Sequence, residues 1–152
     1  MEKGFLLTLL ISATLSVADS FAQTNKNDPK QTLEAFIKAQ NQHDLAAVKN
    51  LLFDSPNFLW ITKGVAIWGR EAALSRFEAL YKGTWTLQPD YEKLKMTELD
   101  RKTIQIFVPI TFSIGDAGQN AKNINFLMNM VLIKKNKTWV VSSLLPIPAA
   151  NP

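Results

Sequence analysis

The sequence has no cysteine and a single histidine, His43, among its 152 residues. Without cysteine, the chain can form no disulfide, offer no thiolate to a metal and use no cysteine as a nucleophile or lipid anchor. A single histidine also excludes a metal site built from several histidines. The folded protein must therefore depend on its hydrophobic core for stability.

A concentrated basic surface is also missing from the sequence. The net charge is +4, and the lysines are scattered, with short runs only at Lys93/Lys95 and at residues 134–137. A phosphate-binding surface needs lysine and arginine clustered on one face. We therefore interpret the basic excess as solvated surface and expect no nucleic-acid partner.

The first 22 residues are typical of a secretion signal. A short charged start precedes the uncharged apolar run Gly4–Val17, which is shorter than the about 20 residues that a membrane-spanning helix needs. Cleavage after Ala22 is expected because polar residues follow it, and Ala18 offers an alternative site. An uncleaved anchor is the competing interpretation. The prediction is a periplasmic or secreted protein with no membrane span after cleavage.

The remaining chain fits one domain, since 47% hydrophobic and 20% charged residues are an ordinary globular composition. We divide the sequence into a signal peptide at 1–22, a flexible mature start at 23–27, a domain at 28–148 and a tail at 149–152. Removing the leader raises the net charge from +4 to +5, because its two acidic residues outnumber its one lysine.

The first third of the domain has the spacing of amphipathic helices. Asp28 and Pro29 suit the start of a first helix, which should end at residues 41–43. Its apolar face would carry Leu33, Phe36, Ile37 and Gln40. Asp44 can cap a short second helix.

A hairpin and a third helix follow. The hairpin is predicted at 58–62 and 65–68 around Lys63-Gly64. The third helix is predicted over 70–82, with Gly83 as its stop.

From Trp85 onward the apolar residues recur with a period of two, which indicates strands. Strands are predicted at 103–114, 123–132 and 139–145, with an earlier one at 91–99. Helices followed by an antiparallel meander predict an α+β fold, with the three helices packed on one face of the sheet.

Three local sequences resemble the nuclear transport factor 2-like superfamily, specifically its SnoaL-like branch. They are AQNQHDLAAV at 39–48, GREAAL at 69–74 and KTWVV at 137–141. The resemblance covers 28–148 and implies a cystatin-like, cone-shaped domain with a curved sheet, a pocket at its open end and frequent dimerisation. Members include ketosteroid isomerases, dehydratases, polyketide cyclases, epoxide hydrolases and many proteins that are not enzymes.

The expected pocket has few residues that could catalyse a reaction. The inward faces of the two longest predicted strands hold no ionisable residue, and Leu94 and Met96 extend that apolar lining. Enzymes of the resembled family place an aspartate base near the hairpin, where this chain has the apolar residues 58–61. General acid–base catalysis needs a titratable group within reach of the moving proton. We therefore expect no acid–base chemistry, no cofactor and no metal.

The remaining catalytic candidates are weak. Asp54 or Asp90 could serve as a base, with Tyr81 or Tyr91 as a hydrogen-bond donor. His43 is interpreted as a residue of the exposed turn between the first two helices. Asp116 has glycines at 115 and 118, which is typical of a turn.

Aromatic residues concentrate around the hairpin and third helix, where they could hold a flat apolar ligand or simply fill the core. The predicted pocket residues are Trp60, Trp68, Phe77, Tyr81, Trp85, Tyr91, Phe126 and Met128. On the opposite sheet face, Phe107, Leu127 and Val131 stand among polar residues, which favours a homodimer through that face over a patch covered by the protein's own loops.

These features lead to three hypotheses. The favoured one is an exported protein that binds a small apolar molecule. The second is an isomerase, dehydratase or cyclase acting on a hydrophobic substrate. The third is a module that contacts another envelope protein through its aromatic residues.

Overall fold

The structure, a computed structural model, describes residues 28–150. The predicted signal peptide, the mature start at 23–27 and the last two residues lie outside this range. In chain order the elements are α1 (Pro29–Asn41), α2 (Leu45–Leu51), β1 (Leu59–Thr62), β2 (Val65–Trp68), α3 (Arg70–Leu80), β3 (Thr84–Pro89), a 3₁₀ helix (Tyr91–Lys93), β4 (Lys95–Asp100), β5 (Thr103–Gly115), β6 (Lys122–Lys135) and β7 (Thr138–Pro148).

The first two helices begin at the predicted caps. The Asp28 carboxylate accepts the backbone N–H of Lys30 at 2.9 Å, and the Asp44 carboxylate accepts that of Ala47 at 2.9 Å. Each bond satisfies an N–H group that the helix itself cannot pair. None of the helices within 28–150 is long and apolar enough to cross a membrane.

The third helix is shorter than predicted, because it ends at Leu80 and not at residue 82. Gly83 therefore is not the helix stop. A Cβ atom at Gly83 would collide with the backbone carbonyl of Gly115, at the far end of β5. The absence of a side chain allows the start of β3 to lie directly against that strand.

The sheet has seven strands in the order β2-β1-β7-β6-β5-β3, with β4 also paired to β5. The antiparallel prediction is wrong at one point, since β1 runs parallel to β7. The strand predicted at 91–99 is confirmed over 95–99, where β4 lies, and is wrong at its start. Residues 91–93 form the 3₁₀ helix, and two short strands, β3 and β4, pair with different halves of β5.

The predicted alternation in the long strands is confirmed. Ile106, Val108 and Ile110 of β5 are at most 2% exposed and face the helices, as do Met130 and Leu132 of β6. Three helices thus pack against one face of a mixed, curved and unclosed sheet, which confirms the α+β prediction.

The edge strand β4 departs from the expected apolar lining. Met96 pairs with Ile106 and shares its face, but its side chain is 36% exposed. Leu94 is half-buried against the core and precedes the strand. Neither residue lines the cavity described below.

Candidate functional site

A cavity of about 630 Å³ lies between α1, α3, the β1–β2 hairpin and the inner face of the sheet. Its lining is almost wholly apolar and aromatic. The helices contribute Phe36, Gln40, Arg76, Phe77 and Leu80, the hairpin contributes residues 60–64, and the sheet contributes Trp85, Leu87, Ile110, Phe112, Ile114, Ile124, Phe126, Met128, Leu144, Pro146, Ile147 and Pro148.

Trp85 is the centre of an aromatic cluster on the cavity wall. Its ring meets Phe112 edge-on with centroids 4.4 Å apart, and it also meets Trp60 and Phe77 edge-on at 6.4 and 6.0 Å. Trp60 and Phe77 stack at 4.3 Å. These edge-to-face and stacked contacts fix the ring orientations. Mutually packed aromatic rings therefore form the cavity wall on the side of α3 and β3.

Gln40 joins three elements beneath this cluster. Its side-chain Oε1 accepts the Tyr81 hydroxyl at 2.8 Å and the Trp85 indole N–H at 2.8 Å. Gln40 is only 1% exposed, and its Nε2 has no hydrogen-bond partner within residues 28–150. In this buried amide, the oxygen thus accepts two hydrogen bonds, whereas the nitrogen donates none within residues 28–150.

The end of α1 also holds the edge strand β3. The Asn41 side chain donates to the Leu87 carbonyl at 2.9 Å and accepts the Leu87 N–H at 2.7 Å. His43 Nε2 lies 3.1 Å from the Trp85 carbonyl, which can only accept. These contacts keep β3, and with it the Trp85 ring, in place against the helix.

Two cations mark the open end of the cavity. Lys63, in the hairpin turn, and Arg76, on α3, are exposed and contribute to the lining. Within residues 28–150 neither has an ion-pair partner, and no carboxylate side chain lines the cavity. The charged side chains that line the cavity are therefore all cationic within residues 28–150.

The architecture matches solved structures at low sequence identity. A nuclear transport factor 2-like superfamily protein from Salmonella enterica has a TM-score of 0.72 and 17% identity over 84% of this chain and 93% of that chain. An uncharacterised protein with a cystatin-like fold from Caulobacter vibrioides has a TM-score of 0.71 and 10% identity, covering 84% and 91%. A proposed dehydratase of the same family from Streptomyces avermitilis has a TM-score of 0.69 and 14% identity, covering 80% and 94%.

The chain has the nuclear transport factor 2-like fold. At these identities the likeness shows the fold alone. No protein-family model and no curated protein matches the sequence.

The cavity includes five of the eight predicted pocket residues. Those five are Trp60, Phe77, Trp85, Phe126 and Met128. Tyr81 lies behind the wall, where its hydroxyl reaches Gln40 but its side chain does not line the cavity. Tyr91 belongs to the 3₁₀ helix, is 40% exposed and lies outside the lining.

Trp68 is on the wrong side of the hairpin for the predicted role. The turn at Lys63-Gly64 pairs Trp68 with Leu59, and Trp60 with Ile67. Because alternate residues of a strand point to opposite faces, Trp68 is directed away from Trp60. Its side chain is 58% exposed.

Both candidate bases lie outside the cavity. Asp54 forms an ion pair with Arg70 at 2.9 Å and is 77% exposed. Asp90 pairs with Lys93 at 2.9 Å, and the hydrogen bond from that lysine lowers the pKa of the Asp90 carboxyl. The prediction that either residue is a base in the pocket is therefore wrong, because neither side chain lines the cavity.

His43 is more buried than predicted. It is half-buried, and its ring stacks on Tyr81 at 4.7 Å with an angle of 3° between the ring planes. The backbone has a φ of 55°, which is the left-handed conformation of a tight turn. The residue therefore packs the turn after α1 against the aromatic cluster.

The sequence interpretation missed Gln40 as a site residue and placed it only on an apolar helix face. A glutamine at an apolar position of an amphipathic helix was the signal, since a buried amide must find partners. Leu87 and Phe112 were missed for a different reason. Their share in the lining depends on how β3 pairs with β5, where Leu87 and Phe112 lie opposite each other.

Proposed function

We propose that the protein binds a small apolar molecule in this cavity. The observation that carries the proposal is the cavity itself, whose 630 Å³ falls within the about 300–1,000 Å³ typical of small-molecule sites. A wall of packed aromatic rings and adaptable residues such as Met128 suit a flat or branched apolar ligand. We further propose that the chain is an exported member of the SnoaL-like branch, on the basis of its leader and the three local sequences that resemble that branch.

The charge at the open end supports a neutral or anionic ligand over a cationic one. A cation entering past Lys63 and Arg76 would meet like charge, whereas an acidic group could pair with them at the surface. These two are also the only titratable side chains in the lining within residues 28–150. The cavity therefore favours binding over the proton transfer that an isomerase or dehydratase mechanism requires.

The alternative of a protein-interaction module receives less support. Trp60 and Trp85, which that hypothesis places at a contact surface, are 3% and 6% exposed. Buried indoles can contact a small molecule inside the cavity but not the surface of a protein partner. The structure therefore favours the small-molecule hypothesis.

A homodimer through the outer sheet face is part of the proposal. Phe107, Leu127 and Val131 are half-buried on this face, and the exposed Trp68 continues the apolar surface. All three helices pack on the opposite face, so within 28–150 no helix covers this one. A second copy would shield these residues from water.

Native mass spectrometry of the protein purified from its own host tests both parts of the proposal. We expect a defined extra mass that is removed by extraction with organic solvent, and a particle of twice the chain mass. Absence of any added mass, together with no uptake of apolar compounds from that host's extract, would contradict ligand binding. A particle of single-chain mass at micromolar concentration would contradict the dimer.

A further inference from the structure

The amide of Gln40 has one satisfied end and one unsatisfied end. The oxygen accepts two hydrogen bonds of 2.8 Å, from Tyr81 and Trp85, and an amide oxygen has two lone pairs. The nitrogen has two N–H groups and no partner within residues 28–150, in a side chain that is 1% exposed. An unpaired buried donor of this kind is rare in folded proteins because it has lost its water without gaining a partner.

The orientation of the amide follows from the chemistry of its neighbours. The Trp85 indole nitrogen can only donate, so the atom of Gln40 that faces it must be the oxygen. Burial raises the pKa of the Tyr81 phenol, which therefore remains protonated and donates as well. Rotating the amide would bring two donors against its NH₂ group. The nitrogen is thus held away from these residues.

The surroundings restrict what the nitrogen can bind. Gln40 lines the cavity together with Phe36, Trp60 and Phe77, whose side chains offer no acceptor. An acceptor oxygen brought by a ligand would pair the amide N–H. A ligand hydroxyl could not donate its proton to the Gln40 oxygen, because that oxygen already accepts two bonds. A carbonyl oxygen accepts a hydrogen bond and has no proton of its own that needs an acceptor.

We propose that the ligand carries a carbonyl oxygen at its buried end, on an otherwise apolar body, and that Gln40 Nε2 donates a hydrogen bond to it. This inference rests on the proposed function and adds the chemical class of the ligand. Gln40 acts as the group that selects a ketone, ester or amide over a hydrocarbon of the same shape. An apolar contact alone could not make that distinction.

The test uses benzophenone and diphenylmethane, which differ only in a carbonyl against a methylene. Their affinities are measured by calorimetry for the wild type and for Gln40→Met, a side chain of similar length without the amide. Because the probes also differ in their transfer from water, the measured quantity is the ratio of their Kd values in each protein. We expect Gln40→Met to shift that ratio about tenfold against benzophenone. An unchanged ratio overturns the inference while leaving apolar binding intact.

A second measurement needs no folded variant. In ¹⁵N-labelled wild-type protein, the Gln40 side-chain amide protons should move downfield when benzophenone is added and much less when diphenylmethane is added. Equal shifts with the two probes would contradict a hydrogen bond to the carbonyl. Failure of both probes to bind the wild type at their solubility limits would instead count against the proposed function, and the present inference would fall with it.

Discussion

Tyr81 shows how single residues behind the cavity wall support the residues that line it. Its ring is covered by His43 on one side and meets Trp85 at 6.1 Å, and its hydroxyl donates to Gln40. Burial, with a smaller effect of the nearby Asp44 carboxylate, raises the pKa of this phenol above its ordinary value of 10. Tyr81 therefore keeps its proton in the folded protein at pH values where the unfolded chain begins to lose it.

The raised pKa of Tyr81 predicts a loss of stability in alkali. Above about pH 10, the unfolded state loses a proton that the folded state retains, so the free energy of unfolding falls as the pH rises. The Tyr81→Phe variant lacks this contribution. At pH 7 this variant should be less stable than the wild type by about 1 kcal/mol, because it lacks the hydrogen bond to Gln40. Between pH 7 and about pH 11, its free energy of unfolding should fall by about 0.5–1 kcal/mol less than that of the wild type, a figure that allows for solvent screening of a partly exposed ring.

Urea unfolding of the wild type, Tyr81→Phe and Tyr91→Phe at pH 7 to 11 checks this prediction. Tyr91 is the comparison because the residue is 40% exposed and lies outside the cavity wall, and burial raises its pKa by less than that of Tyr81. Its variant should follow the wild-type decline more closely. Parallel curves for the wild type and Tyr81→Phe would show that Tyr81 does not couple folding to alkaline pH.

The roles of some residues could be predicted from the sequence, and the roles of others could not. The caps at Asp28 and Asp44 follow from local rules alone, and the structure confirms them. Trp68 was also readable, because a two-residue turn at Lys63-Gly64 fixes the hairpin register and directs Trp68 away from Trp60. The unpaired nitrogen of Gln40 could not be predicted from the sequence. It depends on hydrogen bonds from Tyr81 and Trp85, which follow Gln40 by 41 and 45 positions in the chain.

At the scale of elements, the contact between α1 and β3 positions the aromatic wall. β3 pairs with β5 on one side only, and its other side meets the end of α1. Asn41 occupies both hydrogen-bonding groups of Leu87 there, as a neighbouring strand would. The helix end thereby substitutes for a missing strand and protects an otherwise open sheet edge.

Replacing Asn41 with alanine should loosen this edge. Two hydrogen bonds are lost at a partly buried position, so we expect the free energy of unfolding to fall by about 1–2 kcal/mol. The Leu87 amide should also exchange with solvent faster, by at least about tenfold. Urea unfolding and hydrogen exchange followed by NMR provide the two measurements.

Asn41→Asp is the control for that variant. It keeps the oxygen that accepts the Leu87 N–H but loses the group that donates to the Leu87 carbonyl. Protection of the Leu87 amide should therefore survive in Asn41→Asp and be lost in Asn41→Ala. Equal protection in wild type and Asn41→Ala would show that Asn41 does not hold the edge.

The predictability of the elements follows their hydrophobic pattern. Strands β5, β6 and β7 alternate between buried and more exposed residues, and their positions were predicted. Every residue of β4 is exposed, so no alternation marks its bounds. The parallel pairing of β1 with β7 depends on how the hairpin packs against the last strand and has no local signal.

At the scale of the whole molecule, the fold separates two surfaces of different use. The inner face of the sheet and the helices enclose the cavity, with cations at its open end. The outer face carries the half-buried apolar residues through which we propose dimerisation. The fold class could be predicted from the order of helices and strands, whereas the size and polarity of the cavity depend on packing between distant segments.

Ligand binding in the cavity can be tested by titration with N-phenyl-1-naphthylamine, a neutral apolar fluorophore that brightens in apolar surroundings. The comparison uses Met128→Trp, which places an indole in the cavity, and Asn125→Trp, on the same strand but with its side chain on the exposed outer face. We predict saturable binding of one molecule per chain to the wild type and to Asn125→Trp, and at least about tenfold weaker binding to Met128→Trp. No saturable binding to the wild type, or equal binding to all three proteins, would contradict a ligand site in this cavity.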